Sequence, residues 1–253
     1  MDLANLFHPE LHPLLEALGY VAGYMVYRWQ RARYGDALSE DRRWVVIAAA
    51  AVGALLGARA LGLLEQAPVV GLHWDELWQS GGKTVVGGLL GGWLGVELVK
   101  KVAGMRSRTG DLFAVPVCVG IAVGRLGCFF AGLADDTYGN ATTLPWGVDF
   151  GDGVRRHPTQ LYEFVFLAAL AWVLWRWQRT TNAEGAKVRR GMYAEGQVFR
   201  GFLAAYLGWR LLIDFLKPQP LVAGMNVIQW ACVAGLLVLA VGEWCRRREA
   251  AHD

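Results

Sequence analysis

Seven stretches of mostly apolar residues recur along the chain, near 14–30, 44–64, 82–101, 111–132, 159–178, 197–216 and 225–245. Each approaches the roughly 20 residues that a helix needs to cross about 30 Å of hydrocarbon. This pattern limits the fold more than any other feature. It predicts an all-α, polytopic membrane protein with about seven transmembrane helices. Glu16 interrupts the first stretch, and Arg200, Arg210 and Asp214 interrupt the sixth, so these two are the least apolar. Composition agrees: 55% of the 253 residues are hydrophobic, with 12 Trp and 32 Gly, richer in both apolar residues and Trp than a soluble domain.

Loop charge orients the spans, because cytoplasmic loops carry an excess of Lys and Arg. Residues 28–43 hold Arg28, Arg31, Arg33, Arg42 and Arg43, whereas 65–83 hold only Lys83. Lys100, Lys101, Arg106 and Arg108 follow the third span. Arg176, Arg179, Lys187, Arg189 and Arg190 follow the fifth, and the tail carries Arg246, Arg247 and Arg248. The N-terminal residues 1–13 have no Lys or Arg, the loop after span six has only Lys217, and 133–158 is acidic on balance. The alternation predicts an external N-terminus and a cytoplasmic C-terminus.

No repeat or low-complexity tract is visible, and the one stretch resembling a linker, 180–191, is too short to separate domains. One integral membrane domain over 1–253 is therefore expected. Gly53, Gly57 and the ladder Gly87, Gly88, Gly91, Gly92, Gly95 form small-xxx-small patterns that let helix backbones approach closely in lipid. Residues 1–13 lack the basic, apolar and small-residue regions of a cleavable signal peptide. Cys118, Cys128, Cys232 and Cys245 lie in or beside apolar segments without CxxC spacing or a nearby His pattern, so neither a zinc site nor a disulfide framework is expected. A net charge of +3 with scattered basic clusters gives no nucleic-acid footprint.

Charged residues inside the spans point to function, since a charge in hydrocarbon is costly. On the predicted topology Glu16, Arg59, Arg125, Glu163 and Arg210 come from five different helices, each within roughly 5–12 Å of the external interface at about 1.5 Å per residue. Any one of them has a structural explanation, by snorkelling or by pairing with a neighbour. Three guanidinium groups in one leaflet suit an anionic ligand, because Arg forks match phosphate oxygens, and a phospholipid head group is the anion most available there. Backbone N–H groups beside Arg125 and at Gly81–Gly82 are candidate donors to the same phosphate. Tyr206, Arg210 and Asp214 recur at i, i+4 and i+8 on one helix face, where Arg210 and Asp214 alternatively form only a neutralising pair. Glu16, Tyr20 and Tyr24 likewise share a face of span one.

The loop 133–158 contains Asp135, Asp136, Tyr138, Asn140, Asp149 and Asp152 and is too polar for the bilayer. Loops of this length between helices are often functional. No DxDxDG spacing suggests calcium. His157, before Pro158 at the mouth of span five, is the histidine adjacent in sequence to this cluster and a candidate proton acceptor near neutral pH, or else a surface or capping residue.

At these residues the chain resembles the prolipoprotein diacylglyceryl transferase family of bacterial inner membranes. The matching pieces are Gly57–Arg59, the glycine-rich 81–92, Gly124-Arg125-Leu126-Gly127-Cys128-Phe129 with Gly132 and Gly139, Pro145-Trp146, and Arg156-His157-Pro158-Thr159-Gln160-Leu161-Tyr162-Glu163. Tyr206, Arg210 and Asp214 complete the set, which runs in the family's order over about 160 residues. The resemblance implies transfer of the diacylglyceryl group of phosphatidylglycerol to the thiol of a lipobox cysteine in a prolipoprotein, at a site open to the periplasm and without a cofactor. It implies that Arg125 and Arg210 hold the phosphate and stabilise the leaving group. A base must then help deprotonate the thiol, from among His157, Glu163, Asp135 and Asp136. Glu16, Tyr20, Arg59, Gly87, Gly88, Gly124, Gly127, Cys128, Gly139 and Tyr206 are the remaining expected contacts to substrate. Two positions depart from the family pattern: Val86 stands where a histidine precedes the Gly-Gly of the third span, and Leu133 where an acidic residue is common. A phospholipid-binding or lipid-moving protein without catalysis, or a transferase with another acceptor, is the alternative.

Overall fold

In the computed structural model, residues 7–36, 38–70, 82–105, 109–183 and 196–249 are described. Gly81, most of the stretch 180–191, and the basic residues Arg106, Arg108, Lys187, Arg189 and Arg190 lie outside them. The described residues form seven α-helices: α1 (Leu11–Tyr34), α2 (Glu40–Val70), α3 (Val85–Val102), α4 (Asp111–Ala131), α5 (Thr159–Ala183), α6 (Gln197–Ile213) and α7 (Val227–Glu249). Each falls on one of the expected apolar stretches, and several extend a turn or more into the flanking basic residues. Three, within Glu40–Gln66, Asp111–Asp135 and Val227–Arg248, are long and apolar enough by themselves to cross a membrane.

The helices belong to two compact units. In the first, α1 packs on α4 and α4 on α5. Small residues allow the first contact: a Cβ placed on Gly19 would lie 2.7 Å from the Gly120 carbonyl oxygen, and one on Gly23 would lie 3.0 Å from that of Pro116. Buried polar groups tie the end of this unit that carries Asp111. Gln30 Nε2 donates to Gln178 Oε1 at 2.8 Å, and Gln178 Nε2 donates to the Asp111 carbonyl at 2.5 Å. The Asp111 carboxylate accepts from the backbone N–H of Gly196 (2.7 Å) and Phe199 (2.9 Å), which caps the start of α6. Buried polar groups of this kind are usually satisfied by partners within the protein.

The second unit is built on α2 and α3, with α7 against both. Its glycine ladder is an interface. A Cβ on Gly53 would lie 2.3 Å from the Gly91 carbonyl oxygen, and one on Gly57 would lie 2.3 Å from that of Gly87. Both distances are far inside van der Waals contact and the obstacle is backbone, so only glycine permits this approach.

The polar loop is more ordered than an all-helical reading predicts. A 3₁₀ turn, Gly132–Asp135, follows α4, and Val148–Asp149 pairs antiparallel with Arg155–Arg156 in a two-stranded ribbon (β1, β2). Strands of two residues show no periodicity, so the sequence carried no sign of them. Side chains hold the turn between them. Asp149 Oδ1 accepts from the backbone N–H of Gly151 and Gly153, both at positive φ, and Arg156 grips Asp152 with two 2.7 Å bonds.

Two outcomes follow. Gly57→Val forces α2 from α3 and lowers the thermal midpoint in detergent by the equivalent of about 1–3 kcal/mol or more, whereas Gly208→Ala, with open space at its Cβ, leaves it unchanged or raised. In the loop, the Arg156 guanidinium pulls the Asp152 carboxyl down to about 2 from its usual 3.8. A depressed carboxyl favours the folded ribbon above its ordinary pKa and loses that effect as pH falls through the folded value. The side-chain carboxyl shift of Asp152 should therefore titrate near 2, and return toward 3.8 in Arg156→Gln.

Candidate functional site

Arg125 lies in the last two turns of α4, where the sequence turns from apolar to Gly-rich, and Glu163 lies at the start of α5. Arg125 Nε is 3.0 Å from Glu163 Oε2, and the two side chains are only 8% and 2% exposed. Pairing across helices removes the net charge that hydrocarbon would penalise. The start of α5 is fixed by the motif around it. Pro158 directly precedes the helix, the Thr159 hydroxyl donates to the Thr137 carbonyl at 2.6 Å, and the Leu161 and Tyr162 N–H groups donate to the Pro158 carbonyl.

A second group of side chains adjoins this pair. Arg125 Nη1 is 3.7 Å from Cys128 Sγ, Cys128 Sγ is 3.7 Å from His12 Nε2, and His12 Nε2 is 3.2 Å from Asp135 Oδ1. Thr137 Oγ1 donates to the other Asp135 oxygen at 2.5 Å. His12 occupies the second position of α1, and Gly127 lets it approach: a Cβ there would lie 3.2 Å from the His12 carbonyl oxygen and 3.1 Å from Leu15 Cβ. His12 is the residue that sequence reasoning missed. It is 116 positions from Cys128, and only tertiary packing brings it to the acidic loop, so His157 is not alone beside that cluster. The structure also separates the two loop aspartates. Asp135 turns to His12, while Asp136 is exposed at φ 52°.

His157 sits elsewhere on the same loop. Its Nδ1 is 3.3 Å from the Tyr162 hydroxyl, which accepts from Trp146 Nε1 at 2.8 Å. Gly139 serves this segment as a tether, donating its N–H to the His157 carbonyl, and a Cβ on it would strike His157 Cβ at 2.7 Å. Gln160 is 1% exposed, and neither its amide oxygen nor its nitrogen has a hydrogen-bond partner among the described residues. A buried amide left in this state is costly, which marks it as a further position able to receive a polar ligand.

The structure places the other expected contacts as follows. Gly124 and Gly127 lie inside α4, where backbone N–H groups bond to the carbonyl four residues earlier. Glu16 and Tyr20 pair with each other on the exposed face of α1, Tyr20 Oη donating to Glu16 Oε1 at 3.2 Å, with Tyr20 71% exposed. In the second unit, Arg210 and Asp214 form a buried pair at 2.8 Å below the fully buried Tyr206, as the i, i+4, i+8 spacing requires. Arg59 is half-buried on α2. Gly87 donates its N–H to the Thr84 hydroxyl at 3.1 Å, and with Gly88 it faces α2, so both serve helix capping and packing.

The model of the family described as prolipoprotein diacylglyceryl transferase matches residues 6–245. The chain belongs to this family. Among similar proteins are three named phosphatidylglycerol–prolipoprotein diacylglyceryl transferase. That of Geobacter sulfurreducens is 34% identical over 81% of this chain and 76% of its own length. That of Cupriavidus pinatubonensis is 29% identical over 97% and 95%, and that of Methylobacillus flagellatus is 30% identical over 93% and 98%. Within the diacylglyceryl transferase family pattern, Val86 takes on meaning. It is 1% exposed in the first turn of α3, an aliphatic side chain enclosed where the pattern places an imidazole.

Arg125 and Glu163 are buried against one another, so removing one takes away an ion-pair partner of the other. Arg125→Ala should lower unfolding stability in detergent by about 3–5 kcal/mol. The double change Arg125→Leu with Glu163→Leu should recover most of that loss, which a double-mutant cycle of thermal midpoints measures.

Proposed function

We infer that this chain transfers the diacylglyceryl group of phosphatidylglycerol to the thiol of a lipobox cysteine in prolipoproteins, forming a thioether and releasing glycerol phosphate. The observation that carries the reading is the family match over 6–245, which takes in the Arg125–Glu163 segment and the Tyr206–Asp214 stripe. The alternation of basic and non-basic loops supports seven spans in a bacterial inner membrane, with the N-terminus outside, the C-terminus cytoplasmic and loop 133–158 on the periplasmic side.

In this reaction the carbon–oxygen bond between glyceryl and phosphate breaks as the carbon–sulfur bond forms, and negative charge collects on the departing phosphate. Arg125 and Arg210 are the groups suited to that charge. The guanidinium fork matches phosphate oxygens and keeps its charge at any working pH, which suits an arginine to this role. Glu163 and Asp214 then orient the forks and keep the protein neutral before the lipid arrives. Val86 favours a second reading, phospholipid binding without transfer, since an aliphatic side chain there takes no proton.

Purified protein incubated with phosphatidylglycerol and a lipobox peptide should yield a thioether-linked product and one glycerol phosphate per peptide. Arg125→Ala and Arg210→Ala should each slow turnover by about 100-fold or more, the usual cost of removing a donor that stabilises developing charge. Retained lipid binding with no product would establish the second reading. Undiminished turnover in both variants would refute these roles for the two arginines.

A further inference from the structure

His12, Cys128 and Asp135 come from the first turn of α1, the last turn of α4 and the 3₁₀ turn after it, and their ligating atoms all lie within 4.8 Å of one another. These are three different donors, an imidazole nitrogen, a thiol sulfur and a carboxylate oxygen. Two distances matter: His12 Nε2 to Asp135 Oδ1 at 3.2 Å and His12 Nε2 to Cys128 Sγ at 3.7 Å.

A proton relay of the nucleophile–base–carboxylate kind does not fit them. In such a relay the carboxylate holds one imidazole nitrogen and the nucleophile meets the other. Here the same Nε2 faces both Asp135 and Cys128, and one nitrogen offers either a proton or a lone pair. Two of the three donor–donor distances fit convergence on a point, and the third, Cys128 Sγ to the Asp135 carboxylate, lies within 4.8 Å. Tetrahedral zinc with bonds of about 2.0–2.2 Å to N and O and about 2.3 Å to S has edges of about 3.4 Å (N to O) and about 3.6 Å (N to S).

We propose that His12, Cys128 and Asp135 form a site for a divalent cation of the zinc class, with a fourth coordination position left for an exogenous thiolate. The surroundings suit such a site. Thr137 holds the second oxygen of Asp135 at 2.5 Å, the type of outer contact that orients a ligating carboxylate. Arg125 Nη1, 3.7 Å from Cys128 Sγ, faces a sulfur that ligates as an anion. With the fourth position empty, the dication offsets one thiolate and one carboxylate, and Glu163 offsets Arg125. His12 is 34% exposed, so the site opens on its side rather than through buried Cys128.

If the proposed function holds, the exogenous thiolate is the acceptor cysteine itself. Its thiol binds by releasing a proton to solvent, and its sulfur then takes the glyceryl carbon as the phosphate leaves with the bonding electron pair. This role for the metal removes the need for an imidazole at Val86.

The test uses the full chain in detergent, stripped of metal by chelator and titrated with Co²⁺. One equivalent per chain with thiolate-to-cobalt charge-transfer absorption is expected. The band should vanish in Cys128→Ser and persist in Cys245→Ser, and Asp135→Asn should weaken binding at least ten-fold. Absence of saturable binding, or a band that survives Cys128→Ser, overturns the site. Thermal midpoints of the variants check folding, and Asp135→Asn, altered outside the helices, keeps the test valid if Cys128→Ser does not fold. Adding a lipobox peptide should shift the cobalt spectrum, and its Ser-for-Cys analogue should not. An unshifted spectrum in protein that transfers lipid overturns the thiolate role, whereas a peptide-dependent shift without transfer upholds the site and counts against the proposed reaction alone.

Discussion

A guanidinium placed in an apolar helix must be neutralised by the protein, and Glu163 does this for Arg125. Much of the first unit follows from that requirement. The pair joins α4 to α5 near the polar loop, so the Pro158–Glu163 segment has to begin a helix at a fixed height beside α4. Thr159 and Thr137 then fasten the loop to that helix start. The loop in turn presents Asp135 to α1, which completes the circuit back to α4 through His12 and Cys128.

Close backbone approach is the second constraint, and it acts where charge does not. Helices in lipid gain little from burying apolar side chains, so contact must come from packing. Gly19, Gly23 and Gly120 allow this between α1 and α4, and Gly53, Gly57, Gly87 and Gly91 between α2 and α3. Gly127 works in the same way for a functional end, because its missing side chain admits the first turn of α1. Gly87 and Gly127, both expected substrate contacts by sequence, stand where helix backbones approach closely.

The two arginines are treated alike by different means. Arg125 is balanced by a carboxylate on another helix, while Arg210, in the last turn of α6, is balanced by Asp214 in the 3₁₀ turn that follows it. A pair four residues apart along one continuous helical stretch follows from the helical repeat and can be read from spacing. A pair between helices depends on which faces meet, and no spacing in a single chain encodes that.

The helices, their order and the spacing of Tyr206, Arg210 and Asp214 were legible in the sequence, because hydrophobic length and the 3.6-residue repeat are local properties. Motifs at Gly124–Phe129 and Arg156–Glu163 also pointed to the family. Tertiary structure decided the rest. It turned Asp135 toward His12 and left Asp136 exposed, placed His157 with Tyr162, and turned Glu163 to Arg125. It also gathered His12, Cys128 and Asp135 into one cluster. The reason is sequence separation: His12 and Cys128 lie 116 residues apart, and only the glycine-mediated crossing of α1 and α4 makes them neighbours.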